Sequence, residues 1–98
     1  MFQVYSYYFS GYLTERHVNI YVGNLSPRTS EPQLREAFAR FGAVGKISIH
    51  EQPADSATYR FCFVEMPGDN QASVAISALN GDKIDGCALT VKESGVTV

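Results

Sequence analysis

The chain is predicted to fold as an α+β domain in the order β-α-β-β-α-β. Three observations carry that prediction. Two stretches place apolar residues at i, i+3, i+4 and i+7, the stripe of a half-buried helix. Four stretches alternate apolar and polar residues, the pattern of strands with one buried face. Each half of the chain reads strand, helix, strand, and right-handed crossovers then put both helices on one face of a four-stranded antiparallel sheet.

The first strand is Val18 to Gly23, with Val18, Ile20 and Val22 on one face and Asn19 and Tyr21 on the other. Asn24–Thr29 is a loop containing Pro27. Ser30, Glu31, Pro32 and Gln33 fit a capping box, and Glu31 suits the positive end of a helix dipole. Leu34, Ala37, Phe38 and Phe41 form the first helical stripe, and Gly42 stands where a left-handed residue ends a helix. Val44–His50 is the second strand, with Ile47 and Ile49 inward and Lys46, Ser48 and His50 outward.

Glu51–Thr58 is polar, holds Pro53 and is expected to be a loop. Tyr59–Met66 is the third strand; Pro67-Gly68 breaks it, and Asp69 is expected to cap the second helix. Ala72, Ala75, Ile76 and Leu79 form that helix's stripe. Asn80-Gly81 is a turn, followed by loop to Gly86, and Ala88–Glu93 is the last strand, with Leu89 and Val91 inward. Residues 95–98 are left as a short tail.

Size and charge narrow the function. At 98 residues the chain is one small domain, able to bury only about 60–65% of its unfolded surface, which leaves little room for a deep catalytic cleft. Its 8 basic and 10 acidic residues give a formal charge of −2. That argues against strong non-specific binding to duplexes, where phosphate neutralisation supplies much of the affinity. Cys62 and Cys87 lie in no metal-ligand spacing, and His17 and His50 are expected to be solvated, so neither metal nor cofactor is expected. No stretch is long and apolar enough to span a bilayer. The N-terminus lacks the marks of a signal peptide, and a reducing, cytoplasmic setting is expected. Glu31/Arg35 and Glu36/Arg40 are surface i, i+4 pairs, worth only tenths of a kcal/mol each.

Alternation leaves Asn19 and Tyr21, Lys46, Ser48 and His50, Tyr59, Phe61, Phe63 and Glu65, and Ala88, Thr90 and Lys92 on the face away from the helices. Exposed rings in one patch mark a contact surface, and any base can stack on such a ring for about 1–3 kcal/mol. Lys46 and Lys92 flank the rings where phosphates could run.

Ile20-Tyr21-Val22-Gly23-Asn24-Leu25 resembles the hexamer motif of RNA-recognition motifs, and Tyr59–Met66 resembles their octamer. The Ser30 to Gly42 helix and the Ala75 to Gly81 segment are similar too, so the resemblance covers about residues 18–94. It implies a ferredoxin-like fold with strand order 4-1-3-2, and binding of short single-stranded RNA, two to four nucleotides, without catalysis. It also implies roles: Tyr21 and Phe63 stack on successive bases, Phe61 lies against the sugars, and Asn24 shapes the loop. Two usual cations are missing, since Tyr59 opens the octamer and Cys87 stands where a basic residue is common. Neighbouring Arg60 is the candidate replacement for the octamer cation, and a modest affinity is implied. Asn19, Tyr21, Lys46, Tyr59, Arg60, Phe61, Phe63 and Lys92 are thus the expected RNA-binding residues. Cys62 replaces a small octamer residue and Met66 an aromatic one, both at inward positions that tolerate them. The strand order places the two cysteines roughly 10 Å apart, too far for a disulfide, which needs about 4.4–6.8 Å between Cα atoms.

Two other functions fit parts of the pattern. The same face could contact protein, either a partner or the chain's own extension. Acylphosphatase-like enzymes share the β-α-β-β-α-β plan and use a loop arginine with backbone amides. Arg28 lies in the first loop, but Pro27 removes an amide donor and no glycine-rich cradle precedes it, so catalysis is not expected. Residues 1–17 hold Phe2, Tyr5, Tyr7, Tyr8, Phe9 and Tyr12, half of the 12 aromatics. Two readings of this extension stay open: an extra strand or lid over the sheet, or a tract absent from a working protein that starts at Val18. A small domain resembling bacterial single-motif proteins is expected to be a monomer or weak homodimer.

Overall fold

The structure is a computed structural model and describes residues 17–54 and 57–97. Residues 1–16, nearly all of the expected aromatic extension, lie outside the described residues, so neither reading of it is addressed.

The elements run β1 (His17–Gly23), α1 (Glu31–Ala39), β2 (Ile47–Ala54), β3 (Ala57–Met66), α2 (Asp69–Leu79), β4 (Lys83–Ile84), β5 (Cys87–Ala88) and β6 (Thr90–Thr97). Four of the strands make one antiparallel sheet in the order β2-β3-β1-β6. That is the expected 4-1-3-2 order with β6 as the fourth long strand, and the fold is the ferredoxin-like α+β arrangement. Alternation sorts the sheet as expected. Val18, Ile20, Val22, Ile47, Cys62, Val64, Met66, Leu89 and Val91 point into one core with Leu34 and Phe38 of α1 and Ala72, Ala75 and Leu79 of α2. Phe38 and Leu34 are fully buried, and truncating Phe38 to alanine would cost about 3–5 kcal/mol.

The capping box of α1 forms as expected, and the other helix ends differ in detail from expectation. Gln33 reaches back to the Ser30 backbone N–H through Oε1 (2.9 Å), and the Ser30 hydroxyl turns to the same oxygen (3.1 Å). Gly68, not Asp69, is the N-cap of α2, and Asp69 occupies the first turn, where its charge still meets the helix dipole. Gly42 has φ 159°, near extended rather than left-handed. Its small size serves packing instead, because a β-carbon there would fall 2.1 Å from Oε1 of Gln71 on α2. Glu31 and Arg35 form their ion pair at 3.1 Å. Arg40 instead lies over the Phe41 ring, 5.5 Å from its centroid, and donates to the Ala37 carbonyl.

Larger differences lie in the strands. The segment expected to be a loop at 51–58 largely extends the β2–β3 hairpin, with Glu51 opposite Arg60, Gln52 opposite Tyr59 and Pro53 opposite Thr58. Pro53 is tolerated because β2 is at the edge of the sheet among the described residues, where a missing N–H need not break a ladder. The Glu51 carboxylate also meets Arg60 across the strands at 3.0 Å. At its other end β2 begins at Ile47 rather than Val44.

The last strand is likewise longer and displaced from the expected Ala88–Glu93. Ala88 belongs to a separate β4–β5 hairpin. Its turn residues Asp85 and Gly86 both have positive φ, 53° and 84°, the backbone of a two-residue primed turn. Leu89 is tied to that segment by two backbone bonds, Gly81 N–H to its carbonyl and its own N–H to the Asp82 carbonyl, both 2.8 Å. β6 then runs to Thr97, so residues 95–97 are strand rather than tail. A register shift makes this possible: Ile20 faces Glu93 while Asn19 faces Gly95, leaving Ser94 as the extra residue of a β-bulge.

Candidate nucleic-acid interface

Strand register builds the site. Antiparallel pairing of β1 with β3 sets Tyr21 opposite Phe63 and Gly23 opposite Phe61, while β2 brings His50 opposite Phe61. All point away from the helices, because their neighbours Ile20, Val22, Cys62 and Val64 fill the core. Phe61 is the hub of the cluster. Its ring centroid lies 5.9 Å from Tyr21, 5.4 Å from His50, 5.6 Å from Tyr59 and 5.9 Å from Phe63. His50 is nearly parallel to Phe61, at 22°, whereas Phe63 stands edge-on, at 89°. Such tilted and edge contacts are favourable between rings, so the patch is a packed layer rather than five separate side chains. Tyr59 remains 44% exposed, one of the two most exposed large hydrophobic residues among those described.

Tyr21 lies down on the sheet. Atoms of its phenol end come within 2.6–3.0 Å of where a β-carbon on Gly23 would sit, so only glycine lets the ring take this pose. The Tyr21 and Tyr59 hydroxyls are hydrogen-bonded to each other. That bond in the first place, and partial burial in the second, push the Tyr21 phenol up to about 12. The Nζ of Lys92, opposite Tyr21 on β6, lies 5.4 Å from the Tyr21 ring centroid, within cation–π range.

The remaining expected residues stand at the other end of the patch. Lys46 is exposed beside the start of β2, where Glu65 N–H donates to its carbonyl at 2.9 Å. Asn19 sits opposite Glu65, and the Glu65 carboxylate lies 3.6 Å from the His17 ring nitrogen Nδ1. An acid therefore shares this corner with Lys46, and Lys92 is the cation set among the rings.

Arg60 does not join the interface. Its place between Phe61 and Tyr59 turns it to the opposite side of β3, where its side chain is only 14% exposed. It donates to the backbone carbonyls of Ser26 (2.6 Å) and Thr29 (2.8 Å) and to Glu51. The expected phosphate contact is thus replaced by a structural one: Arg60 fixes the β1–α1 loop. Asn24, at φ 63°, helps in the same way, donating from Nδ2 to the Ala88 carbonyl at 2.7 Å. Thr29 and Gln33 both donate to the Asp85 carboxylate (2.8 and 3.2 Å), joining that loop to the β4–β5 turn. Burial pushes the Cys62 thiol up to about 12, against the opposing pull of Arg60. Cys62 and Cys87 are both free.

His50 is the interface residue that sequence reasoning missed. Alternation turned it outward, but its stacking on Phe61 follows from the register of a hairpin that polar composition and Pro53 had disguised as a loop. Among the described residues no three His, Cys, Asp or Glu side chains gather as a metal site, and no helix is long and apolar enough to cross a membrane.

Comparison with known proteins agrees with this geometry. The family model described as "RNA recognition motif" matches residues 20–90. RbpD of Nostoc sp., named as an RNA-binding protein, is 40% identical over 80 residues, covering 79% of this chain and 82% of that protein. RbpA of Synechocystis sp., named likewise, is 39% identical over 79% of this chain and 76% of its own length. A match to the small ribosomal subunit protein uS19m of Arabidopsis thaliana, 31% identical over 83% of this chain, spans only 38% of that longer protein. Among solved structures, RNA-binding protein PG1 superposes with a TM-score of 0.68 at 36% identity, over 79% of this chain and 93% of that one. The hexamer and octamer strands, their ring-bearing face, the family match and these relatives agree: the chain belongs to the RNA recognition motif family.

Proposed function

We propose that residues 18–94 bind short single-stranded RNA, two to four nucleotides long, by stacking bases on the aromatic face of the sheet. One observation carries this reading: five rings, those of Tyr21, His50, Tyr59, Phe61 and Phe63, form a continuous layer on the face opposite the helices. Flat rings suit flat bases, and stacking is indifferent to net charge, which fits a chain of formal charge −2. Tyr21 and Phe63 receive successive bases, Phe61 packs against the intervening sugar, and Lys92 and Lys46 meet phosphates. Asn19, at the end of the patch opposite Glu65, belongs to the same RNA-binding surface. The chain binds without chemistry and needs no cofactor.

The test is a titration of wild type and Phe61→Ala/Phe63→Ala with pools of short RNA. Each ring lost should cost about 1–3 kcal/mol of binding, so the double variant should bind at least about 30-fold more weakly than wild type (about 2 kcal/mol or more). Equal affinities would remove the stacking model and leave the face to a protein partner.

A further inference from the structure

Tyr59 occupies the octamer position at which the family resemblance implies a cation, and its neutral phenol supplies no phosphate-binding charge there. Its surroundings supply a different role. Tyr59 is exposed, its ring leans on Phe61 at 33°, and its hydroxyl meets that of Tyr21 across the patch. At the other end of that bond, the Tyr21 ring rests where a Gly23 β-carbon would otherwise stand. Phe61, Phe63 and Lys92 pack beside the Tyr21 ring, but its hydroxyl end reaches out over the bare backbone of Gly23. The hydroxyl bond is what ties its free end down.

We propose that Tyr59 is a positioning residue for base stacking: its hydroxyl clamps Tyr21 flat across Gly23, so that a base meets a surface already set in place. This rests on the stacking function proposed above and adds to it a reason for tyrosine at position 59. A cation there would hold a phosphate directly. Tyr59 acts through another ring, and its contribution is indifferent to salt. Pre-setting a binding surface strengthens binding by reducing the ordering cost of association. The raised Tyr21 phenol is consistent with the clamp, its first cause being the bond to the Tyr59 hydroxyl.

The experiment uses the full chain as wild type, Tyr59→Phe, Tyr21→Phe and the double variant, titrated with a short single-stranded RNA. Phenylalanine keeps each ring and removes only its hydroxyl. Each single variant should bind about 2- to 10-fold more weakly, the net worth of one hydrogen bond. The double variant should be no weaker than either single one, because both lose the same bond. Tyr59→Phe binding as wild type does, or losses that multiply in the double variant, would overturn the clamp.

A second readout needs no RNA. In NMR spectra of the free protein taken as pH is raised, Tyr21 in Tyr59→Phe should ionise nearer the ordinary tyrosine value of about 10 than it does in wild type. An unchanged Tyr21 titration would also overturn the clamp. A wild type that binds no RNA, with a Tyr21 that still responds to Tyr59→Phe, would refute the stacking function and uphold the clamp as a feature of the free face.

Discussion

Gly23 and Tyr21 share one space: a β-carbon on Gly23 would lie 2.6 Å from the Tyr21 hydroxyl oxygen. The atoms in the way belong to the far end of a side chain, so Gly23→Ala can be accommodated by lifting the ring. Stability should fall by about 1 kcal/mol, the centre of the range for point substitutions. Binding should weaken at least 5-fold, toward the loss of one stacked base, about 1 kcal/mol or more. Urea unfolding and RNA titration of the same variant check the two halves. A large loss of stability with intact binding would contradict the assigned pose of Tyr21.

Arg60 behaves in the opposite way. Its guanidinium satisfies the Ser26 and Thr29 carbonyls of a loop whose Ser26 and Thr29 are themselves buried. Arg60→Ala should destabilise the fold by about 2–3 kcal/mol, the scale of hydrogen bonds made by a charged group. The salt dependence of RNA binding should stay the same. A variant of unaltered stability with a shallower salt slope would return Arg60 to the phosphate role first expected of it.

Among the described residues few cations face the rings, and this sets how binding responds to salt. With Lys46 and Lys92 each neutralising one phosphate, log K against log salt should have a slope of about −1.4, at about −0.7 per contact on a single strand. Lys92→Gln should reduce it to about −0.7. Affinities measured at four salt concentrations suffice, and a slope steeper than about −3 would reveal further cations in the site.

Cys62 should make the fold sensitive to alkali. Burial raises its thiol from 9.0 to about 12, so between those values the folded chain keeps a proton that the unfolded chain loses. Its contribution is complete below pH 9 and fades as pH rises through that window. Tyr21, raised from 10.0 to about 12, adds a similar loss that starts about one pH unit higher. Cys62→Ala, a residue the octamer commonly carries there, should flatten the fall in stability between pH 8 and 10. Urea midpoints at those two values test it, and an equal fall in both proteins would contradict the burial of the thiol as its cause.

Much of this was legible in the sequence because it depends on period alone. Alternation in Ile20–Val22 and Phe61–Val64 assigned the core and the rings together, and the helical stripes identified Leu34, Phe38, Ala72 and Leu79 as core. Features that depend on pairing were not legible. Pro53 reads as a breaker unless its strand is known to be at the edge, and His50 joins the rings only through that strand's register. The bulge at Ser94 is invisible without β1 beside it. Two signals were present and went unused. Asp85-Gly86 is a hairpin turn pair, and the alternation that exposed Phe61 and Phe63 already turned Arg60 away from them.

The central claim is that bases lie on these rings, and proton NMR of a bound oligonucleotide tests it most directly. In a complex of the full chain with a short pyrimidine or mixed RNA, base protons should shift upfield by ring currents. They should also show intermolecular contacts to the ring protons of Tyr21 and Phe63, with the intervening sugar protons meeting those of Phe61. Binding accompanied instead by contacts to α1, α2 or the β4–β5 hairpin, with base protons unshifted, would contradict the account.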